Sequence, residues 1–219
     1  MRRFAVCIAL VTACVLAQGQ AAAVDIFGKF TGIDGESTND AHKNWIDVLS
    51  YSWGASNPGS FASGGGGGQG KVSFSDFHFT KNVDKSSPVL LLDLAQGKHI
   101  QEALFDVVHS GGQSQEPFLQ YRFIDVLLTS YSVSGSSGGD VPFESLSLVF
   151  GKVEMIYRPQ DAKGGLGAPV TMSWDVKKNE GGLNVSPVPE PSTWAMLVAG
   201  LLFVVLFGRN RVRARAYAA

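Results

Sequence analysis

Few residues in this 219-residue chain have the type and spacing that chemistry needs. Gly65 to Lys71 follows G-x-x-x-x-G-K, the beginning of a loop whose backbone amides cradle phosphate. Such a loop continues with Ser or Thr to hold magnesium and then starts a helix. Here Val72 comes next and strand-like alternation follows, so the stretch reads as a glycine-rich hairpin loop. Four histidines, His42, His78, His99 and His109, show no metal-ligand spacing. The two cysteines, Cys7 and Cys14, sit near the N-terminus, far from any of them, and no G-x-S-x-G elbow is present. The carboxylates are scattered, with no pair marked out for glycosidic acid–base work. The chain reads as non-catalytic, without metal or cofactor; an extracellular hydrolase is the weakest of the function classes considered.

The elements that would position any site are mostly strands. Val24, Ile26 and Phe30 alternate with Asp25 and Lys29, and Val170, Met172, Trp174 and Val176 alternate with Thr171, Ser173, Asp175 and Lys177. Trp45, Leu49, Tyr51 and Trp53 share one parity while Ile46 and Val48 fill the other, as in a central strand. Two stretches change phase. Val72 and Phe74 give way to Phe77 and Phe79, and Leu146, Leu148 and Phe150 give way to Val153, Met155 and Tyr157; each change suggests a bulge that bends its strand. The segment 123–128 is apolar on both parities, which points to burial against another subunit and marks Ile124, Val126 and Leu128 as candidate interface residues, with the outward parity open. One helix is expected, capped by Ser87, with Pro88 in its first turn and Gly97 at its exit. The fold class expected is mainly β: a compact barrel of two packed sheets with one short flanking helix.

The two ends read as trafficking signals. Arg2 and Arg3 precede an apolar core, and Ala21-Ala22-Ala23 places small residues at the −3 and −1 positions of a peptidase site. Residues 1–23 are therefore expected to be a signal peptide, cut by signal peptidase between Ala23 and Val24. At the other end, Pro189-Glu190-Pro191 is followed by an apolar run and then Arg209, Arg211, Arg213 and Arg215. The organisation expected is a barrel domain over 24–182, a linker over 183–191, a membrane-spanning helix over 192–208 and a basic cytoplasmic tail over 209–219. This triple arrangement resembles the PEP-CTERM sorting signal, which implies handling by an exosortase, a transpeptidase-like enzyme that cleaves near Pro-Glu-Pro. The chain is thus expected outside the inner membrane, anchored in it transiently, then at the cell surface or released.

Composition sets further bounds. The segment 24–188 holds 12 Lys and Arg against 18 Asp and Glu, a net charge of −6, because the other six arginines belong to the two ends. An acidic domain without a basic stripe excludes nucleic acid as a partner. Both cysteines lie within the signal peptide, so the mature domain has no internal disulfide.

A series of ordered blocks resembles the haemolysin-coregulated protein (Hcp) family, the tube protein of type VI secretion. The blocks are F-T-G-I-D-G-E-S from Phe30, His42-Lys43, V-L-S-Y-S-W-G from Val48, G-K-V from Gly70, D-F-H-F-T-K from Asp76 and D-K-S-S-P from Asp84. They continue with G-K-H-I from Gly97, S-Y-S-V-S-G from Ser130, Glu144-Ser145, G-K-V-E from Gly151 and W-D-V-K-K from Trp174. The resemblance implies a two-sheet barrel with one helix, six copies closing into a ring, rings stacking into a tube, and small effector proteins carried in the lumen. The first expectation is an exported structural protein forming rings or tubes, its partners being itself, signal peptidase, an exosortase and the membrane. The second is a working type VI tube subunit and effector carrier.

Overall fold

The computed structural model describes residues 23–58, 71–110, 115–139, 141–161 and 164–185. In chain order they form β1 (Val24–Phe30), β2 (Ile46–Ser52), β3 (Ala55–Ser56), β4 (Ser73–Phe74), β5 (Phe77–Asn82), α1 (Ser87–Gln96), β6 (Ile100–His109), β7 (Leu119–Ser134), β8 (Phe143–Tyr157), β9 (Val170–Asp175) and β10 (Glu180–Val185). Six strands run in the order β8-β5-β2-β1-β6-β7, and β7 pairs again with β8, closing a barrel. The barrel pairings are antiparallel, from Ile26↔Val48 between β1 and β2 to Phe123↔Val153 between β7 and β8. The fifteen residues of β8 make the closure possible. Their first half pairs with β5, their second half with β9, and β7 lies along the other edge. The mainly β barrel with one short helix is as expected, although closure comes from one continuous ladder, with β9–β10 as an extension and β3–β4 as a separate ribbon.

Alternation delivers the core. Phe77 and Phe79 from β5, Phe105 from β6, Phe123 from β7 and Phe30 from β1 are all at most 1% exposed. The rings interlock, with Phe77 4.5 Å from Phe105 and 4.8 Å from Phe123 between centroids. Truncating any one of them to Ala should cost about 3–5 kcal/mol, by lost transfer energy and the cavity left behind.

The phase changes have two different causes. Between Phe74 and Phe77 the chain leaves one strand and starts another: β4 pairs with β3 and β5 with β2, so the expected bulge is a break. In β7 and β8 the two strands switch faces together. Tyr121 and Phe123 point inward, as do Val126, three positions on from Phe123, and Leu128 in the other parity, and β8 answers with Val153 on one side of the switch and Leu148 on the other. The switch lies at Asp125, whose φ is +57°, opposite Gly151. A Cβ on Gly151 would come within 3.1 Å of the Asp125 carboxylate, so glycine there leaves room for the turned strand. A separate slip of one residue, between Leu128 and Ser130, is a bulge.

The helix starts one residue earlier than expected. Ser86 is the N-cap, without a side-chain cap bond, while Ser87 is the first helical residue and its Oγ accepts the Asp84 N–H at 3.0 Å. Gly97 ends the helix in the left-handed region (φ +61°), and Lys98 N–H closes back on the Asp93 carbonyl. The buried stripe of α1 is narrow: Leu90 is fully buried, whereas Val89, Leu91 and Leu92 are exposed. Beneath it, Lys81 and Glu144 are both 0% exposed and 2.9 Å apart. Lys81 also donates to Asp84 and Ser87, and Glu144 accepts from the Tyr131 hydroxyl, so a charged network ties α1 to β5, β7 and β8.

Candidate functional surface

The outside of the barrel carries two chemically distinct faces. On the first, β2, β5, β8 and β7 lie side by side, and their outward residues form two rows. The registers place Ser50 against Thr80, Thr80 against Ser145 and Ser145 against Ser132. The adjacent row runs Ser52, His78, Ser147, Ser130. Seven of these eight side chains are hydroxyls, and neighbours bond across strands: Ser50 to Thr80 at 2.8 Å, Ser130 to Ser147 at 2.7 Å and Ser147 to His78 Nδ1 at 2.5 Å. The inward residues of the same strands are Phe77, Phe79, Leu146 and Leu148, so the rows are the outer side of a strongly apolar ladder, with Ser147 itself buried beneath its bonds to Ser130 and His78. The face offers donors and acceptors without fixed charge.

The second face spans β6, the first half of β7 and the second half of β8. Arg122 bonds Glu102 at 2.7 Å and lies 3.4 Å from Glu154, which Lys152 also bonds at 2.7 Å. The bond from Lys152, followed by its charge and that of Arg122, holds the Glu154 carboxyl below the usual carboxylate range against the opposing effect of burial. Nearby, the bond from Lys177 and then that from His99 lower the Asp125 carboxyl in the same way.

Each residue singled out in the sequence has a place. Val126 and Leu128 are 0% and 4% exposed within a single chain, packed in its core, while Ile124 is half-buried on the outside between Phe123 and Asp125. The three do not share a face, because the strand turns over at Asp125, and the doubly apolar segment is explained inside one barrel. Val24 is the first residue of β1, and the Ala23 carbonyl accepts the Ser110 N–H at 2.8 Å. Ala21, Pro189, Glu190, Pro191 and the expected helix over 192–208 lie outside the described residues; among those described, no helix is long and apolar enough to cross a membrane.

The histidines are apart. His42 is buried, stacked on Phe27 and bonded through Nε2 to Asp106 at 3.0 Å; His99 faces Asp125; His109 stacks on Phe118. No group of three or more potential ligands that could hold a metal ion occurs among the described residues. The hydroxyl rows themselves were missed from sequence. Their signal was present in Ser50/Ser52, Ser130/Ser132 and Ser145/Ser147, three outward serine pairs at strand spacing, but only the register shows that they join.

A closed antiparallel barrel of six strands, with one capped helix and a hydroxyl-rich outer face, defines a small β-barrel domain. The family model described as type VI secretion system effector, Hcp, matches residues 27–157, and the chain belongs to the Hcp family. A second model, the PEP-CTERM protein-sorting motif, matches residues 187–212. Protein hcp1 of Pseudomonas aeruginosa is 42% identical over 158 residues, covering 72% of this chain and 98% of that one. Among solved structures, one titled as a type six secretion system protein is 34% identical with a TM-score of 0.69, covering 73% of this chain and 100% of the other. Hcp1 from Salmonella typhimurium is 35% identical with a TM-score of 0.60, covering 73% and 99%. The chain is thus an Hcp-like type VI secretion tube protein that carries a sorting motif.

Proposed function

We propose that this protein is a non-enzymatic, exported structural subunit whose barrel closes into six-membered rings with the hydroxyl face turned to the bore. The observation that carries this reading is the double row of Ser50, Thr80, Ser145, Ser132, Ser52, His78, Ser147 and Ser130, seven of them hydroxyls and none a carboxylate, lysine or arginine. A wall of hydroxyls stays hydrated and exerts no long-range pull on charged solutes, so it suits a passage for varied proteins. Ring closure is a head-to-tail contact repeated until the rotation closes. Ile124, half-buried and outward, is a candidate contributor to that contact, and the ion-paired Glu102–Arg122–Glu154 row lies on the neighbouring surface.

Signal peptidase would cut before Val24, and an exosortase would act near Pro189-Glu190-Pro191, leaving the barrel at the surface or free outside. The test is the solution mass of residues 24–188, by light scattering across a salt series with negative-stain images of each peak. A mass near six subunits with ring-shaped particles is expected; a monomer under every condition would overturn the ring. The second reading, a working type VI tube that carries effectors, is favoured by the family model and the solved structure whose descriptions name type VI secretion. It predicts delivery into neighbouring cells that is lost when the protein is deleted.

A further inference from the structure

The hydroxyl face has one member that can change its charge. His78 stands in the row Ser52, His78, Ser147, Ser130, and its ring is exposed. Its Nδ1 is 2.5 Å from the Oγ of Ser147, which is 3% exposed and accepts in turn from Ser130 at 2.7 Å. With Ser130 donating to Ser147, the Ser147 proton goes to Nδ1, and the neutral ring carries its hydrogen on Nε2. A second proton reverses the chain. Nδ1 then donates to Ser147, and Ser147 turns its own hydrogen toward Ser130. Both arrangements leave the buried Ser147 bonded, so the fold accommodates either charge state without an unpaired group. Nε2 is a donor in both, and the second proton makes it a charged one.

The groups around the ring decide what it can hold. On β2 it faces Ser50 and Ser52, on β8 Ser145 and Ser147, and on β7 Ser130 and Ser132. On β5 itself Thr80 follows, bonded to Ser50, and Asp76 precedes, its Oδ2 accepting from Thr129 at 2.6 Å. Lys71 and Val149, the latter two positions beyond Ser147, line a neighbouring cavity. Lys81 and Glu144 are fully buried and paired with each other. Among the described residues no carboxylate bonds the His78 ring, and the side chains beside it are hydroxyls. A cation flanked by hydroxyl donors is the complement of a carboxylate.

We propose that His78 is a proton-gated binding site for the carboxylate side chains of an acidic polypeptide, with Ser52 completing it from the facing strand and Ser147 holding the ring. This rests on the reading above that the hydroxyl face is the one that meets cargo, and it names the kind: proteins that present clustered aspartate or glutamate. Imidazole is the side chain suited to a change of charge between about pH 5 and 8, so cargo is held in acid and released near neutrality. Where rings form, each copy adds one such contact, and a chain with several carboxylates engages more than one.

The experiment measures binding of a fluorescent glutamate-rich peptide to the purified full chain by anisotropy, from about pH 8 down to about pH 5. A site that needs the protonated ring loses up to about tenfold in affinity for each pH unit above the ring's titration. The parent should show that fall. His78→Asn should bind weakly at every pH and His78→Lys tightly at every pH, both with the far-ultraviolet dichroism of the parent, because the ring lies outside the core. A lysine-rich peptide of equal length should gain nothing on acidification. A parent curve flat with pH would overturn the site. So would a pH dependence that His78→Asn retains, since His42, His99 and His109 are still present in that variant. Negative-stain images of the same samples separate the two readings. Rings without pH-dependent capture would leave the ring and remove the site, whereas capture without rings would leave the site and remove the ring.

Discussion

Lys81 shows what a single residue decides here. It lies in β5 at an inward position of an otherwise apolar ladder, where a charge would be prohibitive without partners, and Glu144, Asp84 and Ser87 supply them. Replacing Lys81 by Met should cost about 3–5 kcal/mol in urea unfolding, because Glu144 is then buried without its counter-charge. The double variant with Glu144→Met should recover a large part of that loss, and no recovery would mean the pair acts by something other than charge balance. Tyr131 belongs to the same network. Burial, then its bond to Glu144, pushes its phenol up to about 12, and burial with Tyr51 beside it does the same for Tyr121. In the unfolded chain both ionise near 10. The folded form therefore holds their protons more tightly, so their contribution to stability is intact below pH 10 and lost as pH rises to about 12. Unfolding midpoints measured across that window should fall, and phenolate absorbance should show two tyrosines titrating late.

At the scale of elements, the turn-over of β7 and β8 carries most of the design. Asp125 takes a left-handed backbone and is held there by His99 and Lys177, with Gly151 yielding space across the ladder. Gly151→Val should push against the Asp125 side chain and the Ile124 carbonyl, and its melting temperature should drop by several degrees, as a loss of about 1–3 kcal/mol requires. Asp125→Gly loses both partners yet relieves the backbone, so it should be milder than Asp125→Ala, which loses the partners and keeps the strain. An equal cost for the two would show that the ion pairs and not the backbone dominate. The strands were legible from alternation, and the helix from its proline and glycine. The change of face was legible too, as apolar residues of both parities in 123–128, but its meaning was not. Alternation reports that a side chain is buried, and it does not report whether the neighbour is the same barrel or another copy.

At the scale of the whole molecule, the placement of Ile124 against Val126 separates folding from assembly. Val126→Asp puts a charge into the core and should unfold the subunit, whereas Ile124→Asp should leave the far-ultraviolet dichroism of the monomer intact. If the outward side of β7 closes the ring, Ile124→Asp also lowers the solution mass; an unchanged mass would remove Ile124 from the contact. The segment 24–188 carries a net charge of −6, so its copies repel each other modestly and the assembled fraction should rise with salt as screening increases.

Residue order alone determined that this is a mainly β domain without a cysteine between residues 24 and 188, and that it resembles the Hcp family. Those properties are local: alternation, caps, charge sums and ordered blocks are each contained in short stretches of chain. Tertiary structure decided that β7 closes on β8, that Val126 and Leu128 belong to the core, and that hydroxyls from four strands meet in two rows. Each of these depends on register between residues tens of positions apart, and a shift of one residue would turn the same side chains to the other face.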